Sequence, residues 1–237
     1  MLLYIIRHGD PCYDPDSLTP LGKRQAEALG RRLAKSGIDE VYSSPLVRAQ
    51  QTAQPLCEML RKKPEILEWT SEALAWQEFT FHDPRYNGGL NWAFHAQTDK
   101  YKTPENIALV DNWYEAEPFC RTDCKNGWER IGRESDAFLE KLGYKREGLR
   151  YQIISPNKKH VAVFCHQGFG TTWLAHLLGV HPLVFWSTFD INHSSVTIIR
   201  FANNADGYCA PMCIALSDTS HIYADRLPLK FCNEYDI

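Results

Sequence analysis

The sequence lacks both a strong excess of charge and a long apolar run. The 26 basic and 29 acidic residues of this 237-residue chain nearly cancel, which leaves a formal net charge of −3. Because a nucleic-acid-binding surface needs concentrated positive charge, we expect no nucleic-acid partner. The apolar residues 2–6 stop at Arg7, whereas a membrane-spanning helix needs ~20 apolar residues. We therefore interpret residues 2–6 as a buried strand and expect no membrane partner.

Cysteine is also sparse. Eight cysteines are too few for a disulfide scaffold, and none of them forms the C-x-x-C pair of common zinc sites. Cys120/Cys124 and Cys209/Cys213 each have three residues between them, a spacing that resembles metal-ligand pairing only loosely. A secretory signal would place positive charge before the apolar start rather than after it. These features favour reduced thiols, no bound metal and a cytoplasmic location.

The composition is that of a folded globular protein, with 44% hydrophobic, 12% aromatic and 23% charged residues. We see neither an internal repeat nor a low-complexity tract. Domains of up to ~250 residues can share one core, so residues 1–237 are expected to form one domain.

Short apolar runs alternate with helix-forming segments. The runs predict strands at residues 2–6, 40–43, 160–165, 195–201 and 212–216. Thr19-Pro20 and Ser44-Pro45 each predict a helix start, because a capping side chain precedes a first-turn proline. Pro55 is expected to kink or split the second helix. The alternation predicts an α/β fold, a three-layer sandwich with a mostly parallel central sheet and helices on both faces.

The middle of the chain is less regular. Residues 66–103 are rich in aromatics, and the helical pattern of residues 104–142 is broken near Pro118 and Gly127. Long irregular insertions beside a site often control access to it, so residues 69–150 are expected to form an insertion that caps the site. The aromatic residues are expected to build a secondary core, and some of them to roof the pocket.

Polar and charged residues follow three of the predicted strands. The strand ends lead into Arg7-His8-Gly9, into Ser43-Ser44-Pro45 with Arg48 in the next helix, and into Cys165-His166-Gln167-Gly168. Ligands of parallel α/β sheets bind beyond the carboxyl ends of the strands. If the three strands share a sheet, two arginines and two histidines meet at one edge.

This set of residues suits phosphoryl transfer. The planar guanidinium group of arginine bonds two phosphate oxygens at once and keeps its charge. A neutral imidazole is a suitable nucleophile, and Arg7 and Arg48 disfavour its protonation. A bound phosphate opposes that effect, so the balance stays open. Gly9 is expected to permit a sharp turn and a close approach of the backbone to the phosphate.

Arg7-His8-Gly9 directly after the first strand resembles the signature of the histidine phosphatase superfamily, which includes the phosphoglycerate mutases. The segments 18–26, 43–53 and 163–166 are similar to the later blocks of that family, in the same order. The match is close over residues 1–60 and 160–175. The resemblance implies a phosphoglycerate mutase-like fold and a metal-independent phosphomonoester hydrolase without a cofactor.

The resemblance also implies roles for individual residues. His8 would attack phosphorus and carry a phosphohistidine. Arg7, Arg48 and His166 would hold the phosphoryl oxygens and stabilise charge in the transition state. Gln167 stands where the family usually has glycine, and it would add a donor to the phosphate site or face solvent. The protein itself would supply the positive charge, so no metal would be needed.

A general acid must also protonate the leaving alkoxide. The family often uses a glutamate from the middle of the chain, for which Glu68, Glu72 and Glu78 are candidates. Glu78 is favoured because residues 76–81 are similar to the family's apolar-x-Glu-x-x-aromatic pattern, although the glycines that usually follow are absent. Asp10 and Asp83 are weaker candidates.

The substrate and the outcome of the reaction stay open. Hydrolysis of a small phosphorylated metabolite or a phosphoprotein is favoured over mutase-type relocation, because residues 10–16 form a shorter loop than phosphoglycerate mutases usually carry. A non-catalytic phosphate-binding module on the same fold is the other alternative. One chain does not predict the oligomeric state.

Overall fold

Alternate side chains of the first strand point into two different hydrophobic cores. The structure, a computed structural model, describes residues 1–86, 89–96 and 99–229. In strand β1 (Leu2–Arg7), Leu3 and Ile5 pack into one core, whereas Tyr4 and Ile6 pack into the other. The strand is therefore covered on both faces, as the unbroken apolar run predicts.

Strands and helices alternate along much of the described chain. The other strands are β2 (Pro11–Tyr13), β3 (Asp16–Leu18), β4 (Glu40–Ser43), β5 (Glu65–Ile66), β6 (Thr80–His82), β7 (Leu90–Trp92), β8 (Tyr144–Glu147), β9 (Arg150–Ile153), β10 (His160–Cys165), β11 (Val196–Arg200), β12 (Tyr208–Cys209) and β13 (Met212–Asp218). The α-helices are α1 (Pro20–Leu33), α2 (Val47–Leu60), α3 (Glu72–Phe79), α4 (Ala93–Ala96), α5 (Pro104–Ile107), α6 (Cys124–Lys141), α7 (Gln167–Leu178), α8 (Pro182–Trp186) and α9 (Ser220–Ala224). Short 3-10 helices cover Ala34–Ser36, Glu68–Thr70, Pro84–Tyr86, Lys100–Lys102, Val110–Glu115 and Phe119–Arg121. None of the helices in the described ranges combines the length and the apolar character needed to cross a bilayer.

The central sheet has the strand order β13-β11-β1-β10-β4-β5. Strands β1, β10, β4 and β5 are parallel to one another. On the other side of β1, β11 is antiparallel to β1, and the edge strand β13 is antiparallel to β11. The register pairs Arg7 with Cys165 and Phe164 with Ser43, so β1, β10 and β4 end at the same edge. The predicted mostly parallel sheet is confirmed.

Helices cover both faces of this sheet. On one face, Leu29 of α1 and Leu56 of α2 belong to the core that contains Tyr4 and Ile6. On the other face, helices α6 and α7 contribute Phe138 and Trp173 to the core that contains Leu3 and Ile5. Burial of apolar surface on both faces drives this arrangement, and the predicted three-layer sandwich is confirmed.

Of the two helix starts predicted from the sequence, the structure has the first as predicted but not the second. The side chain of Thr19 caps α1 by accepting a hydrogen bond from the backbone N–H of Gly22 at 3.1 Å. Helix α2 instead begins after Leu46, so Ser44 does not act as its N-cap. Ser44 is fully buried and takes part in the candidate site described below.

Two positions at which the sequence predicts a distorted or broken helix lie inside continuous helices. Helix α2 continues through Pro55 without splitting, and a Cβ on Gly30 of α1 would lie 3.0 Å from the Cβ of Pro55. The break predicted near Gly127 is wrong, since α6 runs through it and a Cβ there would lie 2.7 Å from the Phe79 ring. Tertiary packing outweighs local propensity at both positions.

The elements of residues 69–150 lie partly at the pocket and partly against the face of the central sheet. Helix α3 and strand β7 supply residues that line a pocket at the carboxyl edge of the sheet. Helix α6 packs against the sheet itself, where the rings of Phe138 and Tyr42 meet edge to face with centroids 5.1 Å apart. The capping role expected of residues 69–150 therefore remains a prediction for α3 and β7.

Candidate active site

The carboxyl ends of β1, β10 and β4 bring the three predicted segments together. The backbone N–H of His8 donates to the carbonyl of Cys165 at 3.0 Å, and that of Ser44 donates to the carbonyl of Phe164 at 2.9 Å. The rings of His8 and His166 lie with their centroids 5.1 Å apart. Two histidines from distant parts of the sequence thus become neighbours at one edge of the sheet.

His8 is buried, with 2% of its surface exposed. Its Nδ1 lies 2.8 Å from the carbonyl oxygen of Gly9. Because a carbonyl only accepts hydrogen bonds, Nδ1 carries the proton and Nε2 keeps its lone pair. Burial lowers the pKa of His8 well below its usual value, and the charges of His166 and Arg7 lower it further. The imidazole is therefore neutral at neutral pH, as a nucleophile must be.

Gly9 acts through its backbone and its lack of a side chain. Its carbonyl orients the ring of His8, and its N–H donates to Oγ1 of Thr52 at 3.0 Å. A Cβ at this position would lie 2.8 Å from the carbonyl oxygen of Gly22 in α1. The close approach that the sequence predicts is thus made to a helix, and Gly9 is not among the residues lining the described pocket.

Both arginines are buried and held by protein acceptors. Arg7 donates through Nη1 to the carbonyl of Ile191 at 2.6 Å and through Nη2 to Nε2 of His193 at 2.9 Å. A guanidinium group only donates, so Nε2 of His193 is the acceptor. Arg48 donates through Nη1 to Oδ1 of Asp16 at 2.7 Å.

Three buried nitrogens around His8 have no hydrogen-bond partner among the described residues: Nε of Arg7, Nε of Arg48 and Nδ1 of His166. His166 is fully buried, and its Nε2 lies 2.8 Å from Oγ of Ser44. Burial lowers the pKa of His166 well below its usual value, and Arg48 and Arg7 lower it further. Because buried polar atoms are normally paired, this arrangement indicates a place for an acceptor-rich group.

A pocket of about 620 Å³ opens at this edge of the sheet. Its lining residues are Arg7, His8, Tyr13, Asp16, Leu46, Arg48, Glu72, Ala73, Trp76, Gln77, Trp92 and Gln167. The volume is that of a small-molecule site. Within the described part of the chain, no group of three or more His, Cys, Asp or Glu side chains is arranged to hold a metal ion.

Glu72 is the glutamate that the structure brings to the pocket. Its Oε1 accepts from the backbone N–H of Gly168 and its Oε2 from that of Phe169, both at 2.9 Å. Burial raises the pKa of Glu72 above its usual value, although these two hydrogen bonds oppose the shift. A carboxyl group with a raised pKa keeps its proton to higher pH, as a general acid must.

Glu78, the acid favoured from the sequence, lies elsewhere. Arg130 of α6 donates to both of its carboxylate oxygens at 2.6 Å, and Glu78 is not among the pocket residues. The two glutamates are six residues apart in α3, which separates them by about 9 Å along the helix axis. The structure therefore moves the proposed acid from Glu78 to Glu72.

The other candidate acids are also absent from the described pocket lining. Glu68 is exposed, and the carboxylate of Asp83 is held by Arg85. Asp10 accepts a hydrogen bond from the hydroxyl of Thr19 at 2.6 Å. Glu72 is thus the candidate glutamate or aspartate with direct access to the pocket in the described structure.

The helix N-termini at the site are occupied by carboxylates. Glu72 accepts from the start of α7, while Oδ2 of Asp16 accepts from the backbone N–H of Val47 at 2.7 Å at the start of α2. Negative charge at the positive end of each helix is stabilising. Gln167 lines the pocket, and its side-chain amide donates to Asp190. The predicted phosphate-site donor is therefore engaged with a protein acceptor.

Nothing in the sequence pattern assigns Tyr13, Asp16 or His193 to the site. Tyr13 and Asp16 belong to the hairpin of β2 and β3, a segment whose sequence indicates only a polar turn. The available signal is position, because residues 10–17 directly follow a strand that ends at the site. His193 precedes β11, which the sheet topology places beside β1.

A parallel α/β sandwich with two histidines and two arginines at the carboxyl edge of its sheet defines a phosphoglycerate mutase-like protein. The model of the histidine phosphatase superfamily (branch 1) matches residues 3–118. The chain is therefore similar to the histidine phosphatase superfamily over just under half of its length.

Solved structures show the same fold over almost the whole chain. The Entamoeba histolytica phosphoserine phosphatase in complex with 3-phosphoglyceric acid is 22% identical with a TM-score of 0.59, over 93% of this chain and 98% of that chain. A putative alpha-ribazole-5'-P phosphatase from Escherichia coli is 21% identical with a TM-score of 0.60, over 92% of this chain and 97% of that chain. At these identities the similarity shows the fold.

Curated relatives match shorter stretches. The mitochondrial serine/threonine-protein phosphatase Pgam5 of Caenorhabditis elegans is 42% identical over 73 residues, which cover 29% of this chain and 25% of the relative. The matched stretches span between 14% and 45% of the length of the curated relatives. The chain therefore spans less than half the length of these curated relatives.

Proposed function

We propose that this protein is a metal-independent phosphomonoesterase that forms a phosphohistidine on His8. The observation that carries the proposal is a buried, neutral imidazole with a free Nε2, placed beside Arg7 and Arg48. The unpaired nitrogens of both arginines and of His166 are suited to bind the phosphoryl oxygens. The phosphatase names of the relatives support the same class of reaction.

In the first step, the lone pair on Nε2 of His8 attacks phosphorus, and the bond between phosphorus and the ester oxygen breaks. The leaving oxygen keeps the electron pair of that bond and takes the proton of Glu72. Arg7 and Arg48 balance the charge of the phosphoryl group during transfer. The carbonyl of Gly9 holds the Nδ1–H of the ring, which becomes more acidic once Nε2 is phosphorylated.

In the second step, water attacks the phosphohistidine. The bond between phosphorus and Nε2 breaks and its electron pair returns to His8, while a proton of the water passes to the carboxylate of Glu72. Inorganic phosphate leaves, and both residues are restored to their starting protonation states. The raised pKa of Glu72 and the lowered pKa of His8 favour this pair of states.

A small phosphorylated compound suits a pocket of about 620 Å³. Structural neighbours are described in complex with 3-phosphoglyceric acid and, as a mutant, with phosphoserine. Those ligands belong to those proteins, and they support the general class of a phosphorylated small molecule for this one.

The proposal is tested by the hydrolysis of p-nitrophenyl phosphate in buffer that contains EDTA. Acid-labile phosphate on His8 is sought by mass spectrometry after rapid quenching. We expect His8→Ala to lower turnover about 1,000-fold or more and to remove the phosphohistidine. His82→Ala is the matched control, because His82 is an exposed histidine outside the pocket and its loss should change neither readout.

Each alternative gives a different result. Movement of the phosphoryl group within one substrate, without release of phosphate, would assign a mutase. Binding of phosphate without turnover of p-nitrophenyl phosphate, whose good leaving group needs little help from an acid, would assign a non-catalytic module. Undiminished turnover by His8→Ala would remove His8 as the nucleophile.

A further inference from the structure

The pocket contains an exposed aromatic surface that the proposed chemistry does not use. Apolar or aromatic side chains in its lining are Tyr13, Leu46, Ala73, Trp76 and Trp92. The rings of Trp76 and Trp92 meet edge to face, with centroids 4.9 Å apart at an angle of 89°. Trp76 is 37% exposed and Tyr13 is 68% exposed. Exposed apolar surface that lines a pocket is typical of a ligand-binding wall.

The position of Trp92 is fixed by its neighbours. Its ring stacks on the buried Phe94, with centroids 4.9 Å apart and an angle of 20° between the planes. It also lies over Gly168 at the start of α7, where a Cβ would be 2.7 Å from the indole ring. A ring held in this way loses little conformational freedom when a ligand packs against it.

Tyr13 links the aromatic wall to the phosphate-binding residues. The guanidinium carbon of Arg48 lies 5.3 Å from the centroid of the Tyr13 ring, within the range of a cation–π contact. A ligand whose phosphate contacts Arg48 therefore has an aromatic side chain directly beside it. The wall and the charged centre belong to one pocket.

The charges of the pocket argue against a second anionic group on the ligand. Among the lining residues that the structure describes, the arginine and lysine side chains are Arg7 and Arg48 alone, and both lie beside His8. The other ionisable lining residues are His8, Tyr13 and the acidic Asp16 and Glu72. A carboxylate close to the phosphate would meet the charge of Asp16 and would have no further basic side chain of the lining to pair with, which lowers its affinity.

We propose that the substrate is an aromatic phosphomonoester that carries no second negative charge near its phosphate. Its ring packs against Trp76 and Trp92, while its phosphate contacts Arg7 and Arg48. This inference rests on the proposed phosphomonoesterase function and adds the class of the esterified group.

The test compares three esters of primary alcohols, so that the leaving groups are chemically similar: 2-phenylethyl phosphate, glycerol 3-phosphate and 3-phosphoglycerate. We expect kcat/KM for 2-phenylethyl phosphate to exceed that for glycerol 3-phosphate about tenfold or more, because the ring is removed from water against the two indoles. 3-Phosphoglycerate should give the lowest value because of its carboxylate.

Variants show whether the aromatic wall causes the preference. We expect Trp76→Ala and Tyr13→Ala each to reduce the kcat/KM ratio of 2-phenylethyl phosphate to glycerol 3-phosphate several-fold, mainly through a higher KM for the aromatic ester. Both side chains are exposed, so neither change removes a core residue. Tyr223→Ala is the control, because Tyr223 is 88% exposed and lies outside the pocket, and it should leave the ratio unchanged.

A further pair of substrates identifies the source of the aromatic group. N-acetylphosphotyrosine amide and a peptide containing phosphotyrosine share one leaving group. A higher kcat/KM for the peptide assigns the aromatic phosphate to a protein, and an equal or lower value assigns it to a small molecule. Either result supports an aromatic substrate, provided that the preference over glycerol 3-phosphate holds.

Failure of this inference differs from failure of the proposed function. If p-nitrophenyl phosphate and all of the esters are left intact, the phosphomonoesterase function is wrong and the inference falls with it. If glycerol 3-phosphate or 3-phosphoglycerate is hydrolysed with a higher kcat/KM than 2-phenylethyl phosphate, the function stands and the aromatic preference is overturned. A ratio that Trp76→Ala and Tyr13→Ala leave unchanged also overturns it.

Discussion

The backbone N–H of Gly168 donates a 2.9 Å hydrogen bond to Oε1 of Glu72, which ties the start of α3 to the start of α7. Helix α7 directly follows His166, so this bond fixes the proposed acid relative to the histidine pair. The carboxyl group sits at the positive end of a helix, which favours its charged form, yet burial has the larger effect and raises its pKa. The two helices therefore hold the carboxyl group of Glu72 in place, and its raised pKa allows it to keep a proton.

The first prediction concerns the general acid. Glu72→Gln should lower kcat for an alkyl phosphate about 100-fold, because the leaving alkoxide loses its proton donor. The same change should affect p-nitrophenyl phosphate far less, since nitrophenolate leaves without protonation. Steady-state rates on the two esters, measured with the wild type and the variant, give this ratio directly.

Glu78→Gln is the matched control, because Glu78 lies in the same helix and is held by Arg130. Loss of this largely buried ion pair should cost about 3 kcal/mol in the free energy of unfolding. At a temperature where the variant is folded, alkyl and aryl esters should be affected equally. If Glu78→Gln is the variant that discriminates between the esters, the acid is Glu78 after all.

The second prediction concerns pH. The rate on an alkyl phosphate requires neutral His8 and protonated Glu72. The lowered pKa of His8 means that its protonation reduces kcat/KM only well below pH 6.5, and the raised pKa of Glu72 means that its deprotonation reduces kcat/KM above pH 4.5. The acid limit of the plateau should therefore lie well below pH 6.5, and its alkaline limit should lie above the pH at which an ordinary glutamate loses its proton.

A pH profile of kcat/KM with Glu72→Gln checks the assignment. The decline on the alkaline side should disappear in this variant, because no carboxyl proton remains to be lost. Glu78→Gln should keep that decline. An alkaline limb that persists in Glu72→Gln would show that another group provides the proton.

The sheet and its charged edge could be predicted because they depend on local sequence. β1 and β10 contain the unbroken apolar runs 2–6 and 161–165, and the residue that follows each strand is a histidine. Parallel strands place such residues at one edge whatever the intervening chain does. The convergence of His8 and His166 follows from that rule, and the structure places their rings next to each other.

The acid could not be located in this way because its position depends on tertiary packing. Strand β5 brings the chain to the same edge just before α3, but it has only two residues and shows no periodicity. The partner of Glu78, Arg130, lies on a helix that approaches α3 closely at Gly127. The motif at residues 76–81 begins in the second half of α3 (Glu72–Phe79), so it did not reveal that the first residue of the helix faces the site.

The third prediction concerns Asp16. Its Oδ1 accepts a 2.7 Å hydrogen bond from Nη1 of Arg48. An incoming phosphate therefore competes with Asp16 for the guanidinium group. Asp16→Asn should remove the competing charge and lower the inhibition constant of vanadate about threefold to tenfold. The inhibition constant is measured against p-nitrophenyl phosphate hydrolysis.

Asp14→Asn serves as the control for this change. Asp14 is an exposed aspartate in the turn of the same hairpin, so the variant removes the same charge without touching Arg48. Its effect on vanadate inhibition should be small because surface charges are screened by salt. Weaker inhibition in Asp16→Asn would instead mean that Asp16 positions Arg48 for binding.

The fourth prediction concerns the contact between Gly168 and Trp92. A Cβ on Gly168 would lie 2.7 Å from the indole ring, so Gly168→Ala must displace either the ring or the start of α7. Overpacking of this kind costs about 1–3 kcal/mol in the free energy of unfolding. Because the same backbone N–H holds Glu72, turnover of an alkyl phosphate should also fall about tenfold or more.

Trp92→Leu provides the matched background, since a smaller side chain leaves room for the added methyl group. Gly168→Ala should cost clearly less stability in the Trp92→Leu protein than in the wild type, which gives a coupling energy in a double-mutant cycle. Thermal unfolding of the four proteins measures it. Additive effects would mean that the added methyl group does not press against the Trp92 ring, and the contact with Gly168 would then not hold that ring in place.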